Sequence, residues 1–369
     1  MLLVMGADTA SAAPSGGYAT FAPAGGANAY TGTITLPAGF PAVTYTSDSR
    51  TLGGAQVSSG TSAWIPTGTR FGAQFGSSQG KPYISFGPKS NDAAGPSTTV
   101  YTFATATPAG GWGVVLGDID AERLAVSATD ATGAPIPSAQ LGLTTFNYCV
   151  TTSGPTSCAP GGPVPVATAS ANSISVEDPL CPSQGAFCNT SGEAVSLIPT
   201  GAVKTLTVVS NWKQGLPAYQ SWFATTARSI SGMVTTDFPV TTPLSTQLVT
   251  PDGAVAATAP VAVGGAFSFP VVAGRTDYTA RADPATIPAG ADPGATPIDA
   301  SAADVSNVAV AVTSARVVAP PATAPPATDP TAPTLAFSGY NAWPLAIAGF
   351  LLIAAGVALL PKRRRTRRG

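Results

Sequence analysis

Glycine and proline interrupt this chain so often that long helices are excluded over most of its length. The 369 residues include 40 glycines and 36 prolines, about one residue in five. Both residue types break helices and favour turns, whereas the Val and Thr residues between them suit short, half-buried strands. The sequence therefore predicts an all-β protein, apart from one apolar segment near the C-terminus.

Short strand-like segments, each bounded by Gly, Pro, Ser or Asp, occupy residues 28–228. Several alternate apolar with polar residues, as strands with one buried face do. This spacing predicts a jelly-roll-like β-sandwich over 28–228. The candidate strands are 31–36, 82–86, 99–105, 112–119, 124–129, 141–150, 203–212 and 219–226.

Within this region, residues 100–133 read as strand, Asp-x-Asp, strand and turn. The succession resembles lectin-like jelly-roll modules of bacterial surface proteins, which implies a glycan as ligand. If the strand continues through Asp118 and Asp120, both carboxylates project to one face and predict a calcium site, with Glu122 and Asp130 as further oxygen donors. The alternative, which we favour because Ca²⁺ takes six to eight oxygen ligands, is that the two aspartates end the strand and cap its turn. No other cofactor is predicted.

Seven aromatic residues of the same region fit either a sugar-stacking platform or the core of the sandwich. Aromatic side chains at strand spacing bury large areas, so we favour the core. They are Trp64, Trp112, Trp212, Trp222, Tyr83, Tyr101 and Tyr219.

A second, smaller sandwich is predicted over residues 229–316. Strand-like segments there are separated by Pro251-Asp252-Gly253 and by Gly264-Gly265, both typical of tight turns. The succession is similar to collagen-adhesin B-type and carboxypeptidase-regulatory-like domains, which implies an Ig/prealbumin-like fold and a role as a stalk. Many of those domains carry a lysine crosslink, but this chain has no lysine between Lys213 and Lys362.

Four cysteines, Cys149, Cys158, Cys181 and Cys188, lie close together. In an exported protein, disulfides are the expected state. We favour the two local pairs, the first with the second and the third with the fourth, because each closes a short Gly/Pro-rich loop. A tetrathiolate zinc site is the rival, although the usual Cys-x-x-Cys spacing is missing.

The C-terminus carries three signals in a fixed order, after a spacer over 317–334 that contains six prolines. A short motif occupies 335–339, and an apolar stretch follows over 343–360. As a helix the stretch would span about 27 Å, enough for most of a bilayer core. The basic tail 361–369 then predicts a stop on the cytoplasmic side. Its charged residues are Lys362, Arg363, Arg364, Arg365, Arg367 and Arg368.

This arrangement resembles the cell-wall sorting signal of Gram-positive bacteria, in the LAxTG variant of high-GC actinobacteria. The motif reads Leu335, Ala336, Phe337, Ser338, Gly339. The resemblance implies that a class E-like sortase cuts between Ser338 and Gly339 and joins the new carboxyl to peptidoglycan. Ser338 stands where threonine is usual. A permanent single-pass membrane anchor is the alternative.

The N-terminus also indicates export. Residues 1–5 are apolar and Ala10-Ser11-Ala12 fits a signal-peptidase site, so we predict a partial signal peptide over 1–12. A flexible lead-in is expected over 13–27. The protein is therefore expected at the cell surface, in the cell wall, after a single-pass stage in the plasma membrane.

Charge and residue content narrow the function. Outside the basic tail, 11 basic residues face 18 acidic ones, which disfavours nucleic acid as a partner. The chain has no histidine, so Ser-His-Asp and Cys-His catalysis is excluded. With three glutamates, a glycosidase pair is also disfavoured. We expect a surface protein without catalytic activity that binds a glycan or a host or matrix protein, or else a purely structural one.

Overall fold

The computed structural model describes residues 16–50, 54–151, 153–155, 162–181 and 192–315. Within them the chain forms strands, one six-residue α-helix and a single 3-10 turn, so the all-β prediction is confirmed. The predicted signal peptide, spacer, sorting motif, transmembrane helix and basic tail lie outside the described residues. Among the residues described, no helix is long and apolar enough to cross a membrane.

Twenty-one strands are defined in the described ranges. The first fourteen are β1 Gly16–Tyr18, β2 Thr20–Gly26, β3 Ala29–Thr35, β4 Val43–Ser47, β5 Gln56–Ser58, β6 Tyr83–Phe86, β7 Ser97–Phe103, β8 Trp112–Gly117, β9 Glu122–Thr129, β10 Leu143–Asn147, β11 Val166–Ala169, β12 Ile174–Glu177, β13 Glu193–Leu197 and β14 Thr205–Trp212. The others are β15 Tyr219–Thr236, β16 Ser245–Val249, β17 Val255–Pro260, β18 Ala266–Ala273, β19 Tyr278–Ala282, β20 Thr296–Ile298 and β21 Val305–Val312.

Two sheets face each other in the first sandwich. One has the order β10-β13-β8-β15-β6-β5, with β1 also paired to β15, and the other has the order β11-β12-β9-β14-β7-β4-β3-β2. Strands β9 and β14 alternate buried positions with more exposed ones, so one face of each strand points into the core. Tyr101, Leu124 and Val208 from one sheet and Leu116 and Phe223 from the other meet there.

Helix α1 (Arg70–Phe75) covers the opposite face of the β8 sheet. Its first turn is capped by Thr69, whose Oγ1 accepts a hydrogen bond from the backbone N–H of Gly72 at 2.9 Å. Phe71 and Phe75 pack into a second cluster that also contains Trp222. Because the sheet is covered on both sides, β8 and β13 are buried at every position instead of alternating.

The second sandwich has its own core. Strand β15 lies between β18, which is antiparallel to it, and β21, which is parallel to it. The facing sheet has the order β17-β16-β19-β20. Ile230, Leu248, Phe269, Tyr278 and Val310 are buried between the two sheets.

Strand β15 belongs to both sandwiches, and the predicted boundary between residues 228 and 229 falls inside it. Its first half pairs with β6 and β8, and its second half pairs with β18 and β21. The described residues all belong to one compact unit.

The expectation of a flexible lead-in over 13–27 does not hold for residues 16–26, which form β1 and β2. Strand β1 pairs with Ala224–Thr226 of β15, and β2 pairs with β3 along its whole length. The Gly and Pro content of this segment suggested flexibility, yet Pro23 lies on an edge strand, where a missing N–H donor is tolerated.

Candidate functional site: a buried carboxylate cluster after strand β8

The two aspartates predicted as calcium ligands lie in the connection between β8 and β9. Strand β8 ends at Gly117, and Asp118 takes a left-handed conformation with φ of 63°. The chain therefore turns at Asp118, and the argument that Asp118 and Asp120 share one strand face does not apply. The left-handed region favours short polar side chains such as Asp when glycine is absent.

Two glutamates join these aspartates, and we call Asp118, Asp120, Glu122 and Glu193 the acidic cluster. Asp120 is 4% exposed, and Glu122 and Glu193 are fully buried. Glu122 begins β9 with its side chain on the core face, and Glu193 begins β13. The backbone N–H of Ile119 donates to the carbonyl of Glu193 at 3.1 Å, which holds the connection against β13.

Neither carboxyl oxygen of Glu122 has a hydrogen-bond partner among the described residues. A buried, unpaired carboxylate is costly, so such a group is expected to hold a proton or a counter-ion. Arg50 lies near enough to act electrostatically on Glu122, but its Nη2 donates to the carbonyl of Pro217 at 2.9 Å.

The pKa values of two members of the acidic cluster are raised. Burial, reinforced by the charge of Glu193, raises the pKa of Asp118 to about 6, and a hydrogen bond from Gln220 opposes this shift. Burial also raises the pKa of Glu122 well above its ordinary value, with further contributions from Asp120 and Asp118. The cluster can therefore bind protons in a pH range where exposed carboxylates are ionised.

Tyr148 closes one side of the cluster. Its hydroxyl donates to Oε1 of Gln220 at 3.4 Å, and its ring packs edge-on against Trp222. Burial, followed by the charges around it, of which Asp118 is the largest, raises the pKa of Tyr148 well above its ordinary value. The hydroxyl therefore stays protonated and serves as a hydrogen-bond donor.

No three acidic, cysteine or histidine side chains in the described ranges are arranged to hold a metal ion. Calcium at Asp118 and Asp120 therefore remains a prediction. Asp130, another predicted oxygen donor, is partly exposed and caps a turn, because its Oδ1 accepts from the backbone N–H groups of Thr132 and Ala134.

The aromatic residues of the first sandwich lie mainly in its core, as favoured from the sequence. Trp112, Trp222, Tyr101 and Tyr219 are at most 1% exposed, and Tyr83 and Trp64 are also buried. Trp212 is the partly exposed member, and its Nε1 donates to the carbonyl of Gly215. These side chains do not form an exposed stacking platform.

Of the four cysteines, the structure describes Cys149 and Cys181, and neither is a free thiol. Both are disulfide-bonded. Cys158 and Cys188 lie outside the described residues, so the pairing predicted from the sequence stays a prediction.

An open cleft of about 870 Å³ lies between the two sandwiches. It is lined largely by Pro, Ala and Gly of the loops 36–42 and 104–111, with 250–256 and 274–277 opposite. Its charged residues are Asp252, Arg275 and Asp277. No sequence pattern predicts this cleft, because it depends on how two separate sandwiches meet.

No protein-family model and no curated protein matches the chain. Among solved structures, it is similar to the T6 backbone pilin of serotype M6 Streptococcus pyogenes, at 8% identity and a TM-score of 0.18 over 75% of this chain and 63% of that one. It is also similar to the major pilin SpaA of Corynebacterium diphtheriae, at 10% identity and a TM-score of 0.18 over 74% of this chain and 81% of that one. The chain thus covers less than two thirds of the streptococcal pilin, and similarities this weak carry no argument about function.

Sequence reasoning named Asp118, Asp120 and Glu122 but missed Glu193, the fourth member of the acidic cluster. Glu193 is 71 positions from Glu122 along the chain, and only the pairing of β13 with β8 brings it close. One signal was present, since Glu122 and Glu193 are two of only three glutamates in the sequence.

Proposed function

We propose that this chain is an exported surface protein of a Gram-positive bacterium that is covalently attached to the cell wall through Ser338. The observation that carries the proposal is the order of sorting motif, apolar stretch and basic cluster over residues 335–368. A sortase and peptidoglycan are the partners this requires, with the membrane as a temporary one. The nearly all-β character of the described residues, together with a content of charged residues of 9%, suits an extracellular protein.

The attachment is tested by mass spectrometry of protein released from cell walls with a muramidase. A C-terminal peptide ending at Ser338 and carrying a peptidoglycan fragment supports the proposal. An intact C-terminus through Gly369 in the membrane fraction contradicts it and favours the permanent single-pass anchor. A Gly339→Ala variant should stay in the membrane fraction, and Lys213→Ala is a control expected to sort normally.

In this proposal the protein has no catalytic activity, and its outer part is adhesive or purely structural. The absence of histidine from the chain supports the lack of catalytic activity. The burial of the aromatic residues removes one argument for glycan stacking and so weakens the lectin-like reading. Screening the full chain on a glycan array and against matrix proteins separates an adhesive protein from a structural one.

A further inference from the structure

Three independent sets of contacts join the two sandwiches. The first is the continuous strand β15, whose 18 residues correspond to about 60 Å of extended chain. It is hydrogen-bonded to β8 at Thr225 and to β18 from Ala227 onward. The pairing with β18 is irregular between Arg228 and Ile230, but the chain passes from one sandwich to the other without a loop.

The second set fixes the loop after β3 to the second sandwich. The carbonyl of Ala38 accepts from the backbone N–H of Ala273 at 2.8 Å. The hydroxyl of Tyr278 is shared between the carbonyl of Ala273 at 2.9 Å and that of Ala38 at 3.2 Å, so it links the two sandwiches through the longer branch. The carbonyl of Gly39 accepts from Nη1 of Arg275 at 2.9 Å. Arg275 is itself held by an ion pair with Asp277 and lies over the ring of Tyr278.

The third set is centred on Thr226. Its backbone N–H donates to the carbonyl of Gly111 at 2.8 Å, and its own carbonyl accepts from the N–H of Gly274 at 2.7 Å. Gly111 precedes β8 of the first sandwich, whereas Gly274 follows β18 of the second. One residue thus links loops from both sides.

These contacts leave no space between the partners. A Cβ on Gly39 would lie 1.8 Å from the hydroxyl of Tyr278, and Gly39 also has a φ of 88°. A Cβ on Gly274 would lie 2.2 Å from Oγ1 of Thr226. Glycine at both positions permits an approach that any other residue would prevent.

We propose that these three sets of contacts form a lock that makes the two sandwiches one rigid rod and one unfolding unit. The cleft beside the lock leaves room for bending, so packing alone does not hold the angle between the sandwiches. The hydrogen bonds of Ala38, Gly39 and Thr226 do so. This inference goes beyond wall attachment and does not depend on it.

The test uses the full chain, purified in a mild detergent, with spin labels at Thr46→Cys in the first sandwich and Ser306→Cys in the second. Both positions are exposed. Pulsed electron paramagnetic resonance should give one narrow distance distribution, and calorimetry should give one unfolding transition whose van't Hoff and calorimetric enthalpies agree. A broad distance distribution, or two unfolding transitions, in the spin-labelled protein without lock substitutions would overturn the proposal.

The lock variant combines Arg275→Ala with Tyr278→Phe, which removes the side-chain bonds to Gly39 and Ala38. It should broaden the distance distribution and separate the single transition into two. Arg281→Ala is the matched control, because Arg281 bonds to Gln247 within the second sandwich only. If the lock variant folds with an unchanged narrow distribution and one transition, the proposal fails. If it does not fold, Thr226→Val removes the hydrogen bond that Oγ1 of Thr226 donates to the carbonyl of Gly111 at 3.3 Å and should still broaden the distribution.

Discussion

The side-chain amide of Gln220 donates a hydrogen bond to Oδ2 of Asp118 across 3.3 Å, linking β15 to the connection after β8. The same Gln220 accepts from Tyr148 at 3.4 Å. This bond favours the ionised form of Asp118, whereas burial and the charge of Glu193 disfavour it. Burial and Glu193 together outweigh the bond, so the pKa of Asp118 is raised. The protonation of one carboxyl is therefore coupled to the contact between two strands.

Folding stability should fall as the pH rises from about 4 to above 6. Asp118 binds its proton more tightly in the folded state, where its pKa is about 6, than in the unfolded state, where it is near 3.8. The stabilisation from this proton is fully present below the unfolded-state pKa and is lost as the pH rises above the folded-state pKa. It amounts to at most about 3 kcal/mol. Urea denaturation across this pH range measures the slope.

An Asp118→Asn variant should lose most of that slope. Asparagine tolerates the left-handed conformation at this position and keeps an oxygen for Gln220, but it does not titrate. Asp130→Asn is the control, because the turn hydrogen bonds hold the pKa of Asp130 below its ordinary value. That variant should keep the slope, and an unchanged slope in Asp118→Asn would refute the assignment.

Replacing Glu122 by glutamine should leave the free energy of unfolding at neutral pH unchanged or raise it by about 1–2 kcal/mol. Both carboxyl oxygens are fully buried without hydrogen bonds, so a neutral side chain of the same shape removes a desolvation cost. Glu122→Ala, in contrast, should be destabilising because it opens a cavity in the core. Denaturation at pH 7.5 gives both values. A large loss in the glutamine variant would mean that an ionised Glu122 is paired with a cation.

Periodicity predicted several strands that bury one face, and apolar runs predicted β6 and β8, which are buried at every position. Residues 305–312 alternate in sequence and form β21 over the same span. Strand β13 lacks alternation because both of its faces are buried, and the exposed edge strand β2 lacks it because it has almost no buried face. Alternation alone therefore finds neither β13 nor β2, and it was also overlooked in β4, where buried and exposed residues alternate.

The end of β8 and the length of β15 were also beyond local reasoning. The run 112–117 consists of apolar residues and glycine, and Ile119 follows only one residue later, which suggested that the strand reached Ile119, yet the chain turns at Asp118. Residues 219–226 and 230–236 were assigned to different sandwiches, whereas the structure joins them in β15. In both cases the pairing with distant strands decides where the element ends.

Calcium provides a separate test of the acidic cluster. If Asp118 and Asp120 bind Ca²⁺, millimolar calcium should raise the Tm of the protein by mass action, because the ion binds the folded state. The Asp118→Asn, Asp120→Asn double variant should not respond. Magnesium at the same concentration controls for ionic strength. A Tm indifferent to calcium would assign these aspartates to the turn alone.

The four cysteines should form two local disulfides. We expect peptide mapping without reduction to find Cys149 joined to Cys158 and Cys181 joined to Cys188. Each bond closes a loop of about ten residues or fewer, which by loop entropy stabilises the fold by about 2–3 kcal/mol.

The competing pairing joins Cys149 to Cys188, and one contact makes it a serious rival. Sγ of Cys149 lies beside Gly192, where a Cβ would meet it at 2.4 Å, and Cys188 is four residues from Gly192. Serine variants distinguish the two pairings. If the local pairs are correct, the Cys149→Ser, Cys158→Ser double variant loses one disulfide and keeps the bond at Cys181. The Cys149→Ser, Cys188→Ser double variant then loses both disulfides and is the less stable of the two. The opposite order of stabilities, together with a mapped Cys149–Cys188 peptide, would establish the long-range pairing instead.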